Sequence, residues 1–193
     1  MVSVEDVAAV LVTRGDCDLT PILDSLPFSE MMVWDNADRE NLRTYGRHQA
    51  VDFTSRPVCF TQDDDHVFWG FDHLLAEYEP GVITANMDEA WVRRRGYEDM
   101  AMFGRGAVYD RDIPERYLGL YLEHYPRDEF FLLYCDVILG VLAPTKRVDV
   151  GCFRELDHGY ASNRMNALPG FERDKALAKR RARAIRDGLR LPA

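Results

Sequence analysis

Seven consecutive apolar or β-branched residues, Val7 to Thr13, closed by Arg14-Gly15-Asp16, constrain this chain more than any other feature. A strand with one wet face alternates polar and apolar side chains, whereas VAAVLVT does not, so both faces of its sheet must be covered. Sheets of that kind are largely parallel and are joined by helices. The pattern downstream agrees. A short helix is expected from Thr20, which would cap it, with Pro21 in its first turn and Pro27 ending it. Further strands are expected over residues 31–34, 57–61, 81–85 and 108–110, and helices over 39–50, 71–78, 113–124, 136–142 and 169–189. Residues 86–106, which hold Trp91 and several arginines, have no clear period and read as a surface segment near a site. The expected fold is an α/β single-domain α/β/α layer sandwich with a mostly parallel sheet. Residues 1–168 would form the binding and catalytic domain, with 169–193 a basic C-terminal helix packed on it.

Charge is unevenly distributed. The chain carries a formal −9, yet from Glu172 to Arg190 eight basic residues face three acidic ones, a local +5 that leaves −14 for the rest. Such a helix either packs on its own acidic body or meets a polyanion such as modified DNA. No apolar run approaches the roughly 20 residues of a membrane helix. The opening segment has acids where a signal peptide is positive, so a cytoplasmic location without membrane insertion is expected. Cys17, Cys59, Cys135 and Cys152 are too scattered for a paired zinc motif and are expected as free thiols.

In parallel sheets, ligands bind beyond the carboxyl ends of the strands. Here those ends read Thr13-Arg14, Asp35-Asn36 and Asp63-Asp64-Asp65, so polar groups converge on one edge. Asp35 follows Thr13 by 22 positions, about the interval at which nucleotide-binding folds place a ribose-binding acid. Neither a Gly-x-Gly-x-x-Gly turn nor a P-loop is present, so a bound diphosphate needs another source of positive charge. The triple aspartate can supply it through Mg²⁺ or Mn²⁺, or it is simply a solvated acidic turn.

These pieces together, VLVTRGD, then MVWDN, then TQDDDH, and later LLYCDVILGVL, resemble the GT-A glycosyltransferases, especially small phage or bacterial members of the family-two type. The resemblance covers roughly residues 7–142 in element order. It implies a Rossmann-related fold and a metal-dependent transferase moving a sugar from a nucleotide-diphosphosugar donor to an acceptor hydroxyl on modified DNA, protein or glycan, with inversion. It implies that Thr13, Arg14 and Asp35, with Asn36, line the nucleoside pocket. Asp63, Asp64 and Asp65 would serve ribose, diphosphate and metal, and the late His158 would complete the metal shell. The family's Glu-Asp pair reads Cys135-Asp136 here, leaving Asp136 as the base. If the chain is phage-encoded, its location is the host cytoplasm.

Each residue also has a plainer reading. Asp136 follows an apolar run and could be an N-cap at a helix start rather than a base. Gly104-Arg105-Gly106 is an acceptor-side loop or only a turn. Trp34, Trp69 and Trp91 stack on a base or sugar, or belong to the core. A nucleotidyltransferase would use the same sheet edge but needs a basic or glycine-rich phosphate loop. A non-catalytic phage or host interaction module would use the acidic edge and basic tail for protein binding.

Overall fold

The central sheet is built around the apolar strand that dominates the sequence. In the structure, a computed structural model describing residues 2–156 and 167–188, strand β1 (Val7–Thr13) is buried at every position. It pairs in parallel with β2 (Glu30–Asp35) on one side and β3 (Val58–Thr61) on the other. The sheet continues through β6 (Ala107–Asp110), β5 (Ile83–Asn86) and β7 (Thr145–Val148) in the order β2-β1-β3-β6-β5-β7. Only β6 runs against the rest, antiparallel to both β3 and β5, while β5 and β7 are parallel. A small second sheet joins β4 (His66–Phe68) to β8 (Phe153–Glu155).

Alternate residues of β1 feed two cores. Val10 and Val12 belong to one with Trp34, Tyr109, Phe131 and Ile138, and Ala9 and Leu11 to the other with Ile22, Phe60, Phe71 and Leu74. The second layer holds α1 (Thr20–Leu23) and α3 (Phe71–Ala76). The first holds α2 (Gly46–Ala50), α4 (Glu89–Arg95), α5 (Ile113–Leu122), α6 (Glu129–Leu142) and α7 (Phe171–Arg186). The molecule is therefore an α/β/α sandwich with a mostly parallel sheet, as expected from the doubly buried strand. Among the described residues no helix is long and apolar enough to cross a membrane.

Several expectations are corrected. Residues 39–50 are not one helix: the backbone turns to positive φ at Arg43, a 3-10 turn over Arg43–Tyr45 leads into α2, and Gly46 at the junction lies so close to the sheet that a Cβ there would sit 2.5 Å from the Trp34 indole. Thr20 is the first helical residue and not a side-chain cap. Residues 86–106 are not a surface segment. Asp88 caps α4 by accepting the Trp91 N–H at 2.5 Å, and Tyr97, Met100, Ala101 and Phe103 enter the core. Helix α6 begins at Glu129, capped by the Asp128 carboxylate, so Asp136 is mid-helix and the N-cap reading is wrong. The closing helix packs against α6, with Ala178 and Ala182 fully buried between them. Its cations are largely satisfied on the domain: Lys179 donates to the Gly96 carbonyl, Arg183 pairs with Asp99 at 2.5 Å, and Arg181 stacks on Tyr125 and Phe130. All four cysteines are free thiols, with Cys59 and Cys135 buried.

Candidate functional site

A cavity of about 590 Å³ opens at the carboxyl ends of β1 and β3. Thr13, Arg14, Asn36, Asp63, Asp64, Asp65 and Asp136 all line it. Asp35 does not. Its Oδ1 accepts the Ala37 N–H at 2.8 Å and shapes the turn beyond β2. Asn36 is a loop clamp as well as a lining residue, accepting the Leu42 N–H and donating to the Arg43 carbonyl. His158 lies outside the described residues. Of the tryptophans, only Trp91 reaches the cavity, since Trp34 is core and Trp69 is exposed elsewhere.

The turn after β3 concentrates the acids. Asp63 donates its backbone N–H to the Gly104 carbonyl at 3.0 Å, and the two segments touch so closely that a Cβ on Gly104 would fall 2.2 Å from the Asp63 carboxylate. The Gly104 turn therefore sets where Asp63 stands, rather than merely reversing the chain. Asp64 is largely desolvated; burial, with the charges of Asp63 and Asp65, pushes its pKa up, although the Thr13 hydroxyl offsets part of that. Beside it, Cys17 is raised to about 11 by burial, so this lining thiol stays protonated at neutral pH. Asp65 accepts from His66 Nδ1 at 2.5 Å. Asp63, Asp65 and His66 can each offer one ligand atom within 4.8 Å of the others. The His66 Nε2 atom is buried with no hydrogen-bond partner among the described residues. Asp65 orients the imidazole through Nδ1, while Nε2 makes no hydrogen bond and faces Glu155 at 3.7 Å, an arrangement compatible with metal binding. These residues fit a divalent cation.

Two residues that belong to no motif in the sequence organise the opposite wall. Arg47 and His48 are carried into the interior by α2, with side chains 3% and 1% exposed. Arg47 Nη2 donates to Asp63 at 2.6 Å, and its Nε lies 3.6 Å from Asp136 Oδ2. His48 Nε2 is 2.7 Å from Asp136 Oδ1. One guanidinium thus ties the acidic turn after β3 to the mid-helix acid of α6. Burial pushes the pKa of Asp136 up, but the Arg47 charge and the His48 hydrogen bond outweigh it, holding the carboxyl below its ordinary range. Asp136 is an ionised, positioned acceptor on the cavity wall, its side chain 21% exposed. The sequence signals half of this arrangement: an acid in the middle of FFLLYCDVILGVL calls for a cationic partner, but nothing local marks Arg47 and His48 as that partner.

The remaining wall is aromatic and basic. Arg105 is stacked between Trp91 at 4.0 Å and Phe153 at 4.6 Å, with Glu155 at 3.8 Å. Lys175 of α7 reaches the cavity against the Tyr97 ring at 4.3 Å. No known protein family's sequence profile and no curated protein sequence matches this chain.

Proposed function

We propose that the cavity binds a nucleotide-diphosphosugar together with a divalent cation and transfers the sugar to an acceptor hydroxyl with inversion. The observation that carries this reading is that the acidic turn after β3 and the α6 carboxylate face one cavity, joined by Arg47. Its volume falls within the roughly 300–1,000 Å³ usual for small-molecule sites. Asp65 and Asp63, with His66, would hold the cation, and the imidazole in that set favours Mn²⁺ over Mg²⁺. When bound, the metal neutralises charge on the departing diphosphate, the service a glycine-rich loop provides in other nucleotide sites. Thr13, Arg14, Asn36 and Asp64 line the part of the cavity where the nucleoside and sugar would lie.

In the transfer, the acceptor oxygen forms a bond to the anomeric carbon from the face opposite the diphosphate. The bond from that carbon to the diphosphate oxygen breaks, and its electron pair leaves with the diphosphate. The acceptor proton passes to Asp136, which Arg47 and His48 keep ionised beforehand.

The test is calorimetric titration of nucleoside diphosphates with and without Mn²⁺. Wild type is expected to bind more tightly with the metal, and Asp65→Ala to lose that gain. An unchanged metal dependence would remove Asp65 from the site, and absence of nucleotide binding under both conditions would overturn the reading.

A further inference from the structure

We propose that the cavity wall formed by α4, the loop after it and α7 is a subsite for an anionic group, a phosphate or carboxylate borne beside a ring. This deepens the proposed function by naming the chemistry of the acceptor, and the binding itself can be measured with neither metal nor donor present.

Lys175 carries the argument. It is 8% exposed, lines the cavity and donates one of its three N–H bonds to the Tyr97 hydroxyl. Its nearest carboxylate, on Glu172, stands 3.7 Å away, beyond hydrogen-bond distance, on a side chain 75% exposed and screened by water. The cations one and two turns further along the same face of α7 differ. Lys179 is bound to a carbonyl and Arg183 to Asp99. Among the described residues the one hydrogen-bond acceptor of this buried ammonium is a neutral hydroxyl, with the exposed Glu172 as a longer ion pair, and such a cation is stabilised by an anion that enters beside it.

Two arginines add to the effect. Arg95, exposed at the cavity rim, forms no ion pair with a described residue. Arg105 lies over the Trp91 and Phe153 rings, with Glu155 3.8 Å from its Nη2, beyond hydrogen-bond distance, so its guanidinium N–H groups can still donate to a ligand. Three cations thus gather beside the Trp91 and Tyr97 rings, which lie 5.2 Å apart, in a protein whose body is otherwise strongly acidic. A ring bearing an anionic substituent satisfies both chemistries.

The protein has three tryptophans, so its indole N–H resonances are few, and a Trp91→Phe variant assigns the one at this wall. The protein in chelator, free of divalent metal, is titrated by NMR with phenyl phosphate and, separately, with benzoate. Saturable movement of the Trp91 resonance is expected with at least one of them. Phenyl phosphate acting alone assigns the subsite to phosphate, and benzoate acting alone to carboxylate. Lys175→Met, which keeps the side chain's bulk without its charge, should bind about tenfold more weakly or worse, as loss of a charge-assisted hydrogen bond implies. Lys175→Arg should retain binding. No saturable shift with either anion, or wild-type affinity in a Lys175→Met protein with native spectra, would overturn the proposal. Failure of the transferase reading would leave this titration unchanged.

Discussion

Asp136 shows how one residue's surroundings set its chemistry. Two cationic or hydrogen-bonding neighbours on α2 hold its carboxyl below the ordinary range against the opposing effect of burial. Because the folded value is depressed, the carboxylate contributes stability in full above the unfolded value of about 3.9, and that contribution is lost as pH falls through the folded value. Asp136→Asn should flatten the acid limb of a stability-against-pH curve measured by urea unfolding. At neutral pH it should lower stability by about 2 kcal/mol through the lost charge-assisted hydrogen bonds. The same variant should reduce sugar transfer roughly a hundredfold with donor affinity nearly intact, since an amide orients an acceptor hydroxyl but takes no proton. Normal turnover would make Asp136 a structural partner of Arg47 alone.

At the scale of elements, α6 joins the core to the site. Its last turn approaches the 97–104 loop so closely that the Gly140 carbonyl accepts the Ala101 N–H at 2.9 Å, and a Cβ at Gly140 would lie 2.6 Å from the Ala101 carbonyl oxygen. Backbone is the obstacle, so a side chain cannot simply turn aside. Gly140→Ala should cost about 1–3 kcal/mol as overpacking, a fall in Tm of several degrees by calorimetry. An unchanged Tm would mean that the loop yields freely. Helix α6 was also the element least legible in the sequence. It is apolar on nearly every side because α5, α7 and the Arg43–Tyr45 turn all press on it, and a helix covered on most sides has no polar stripe to reveal its period. The strand β1 was legible for a related reason: seven apolar residues bounded by turn chemistry are too few for a buried helix. Strands β4, β7 and β8 were not, since each is short and partnered by a distant segment.

For the whole molecule, α7 is part of one folding unit and not an appendage. It covers α6 and touches α5, and Ala178, Ala182 and Ala184 are buried. A chain ending at Leu168 would expose that apolar seam to water. It should lose the single cooperative thermal transition and associate, as followed by circular dichroism and size-exclusion chromatography; a monomer with a wild-type melting curve would show the helix to be dispensable. By itself the sequence determined the layered α/β class, the three polar strand ends and the acidic turn after β3, because burial periodicity and turn residues are local properties of the chain. Only the tertiary structure decided that Asp35 serves a turn and that Arg47 and His48 reach Asp136. It also decided that Lys175 comes to the cavity, 78 residues along the chain from the Tyr97 it bonds. The Arg47, His48 and Lys175 contacts join segments far apart in the chain and are made by side chains whose types are as common on a solvated surface. Nothing local distinguishes such a residue until packing removes the water around it and leaves its charge to find a partner.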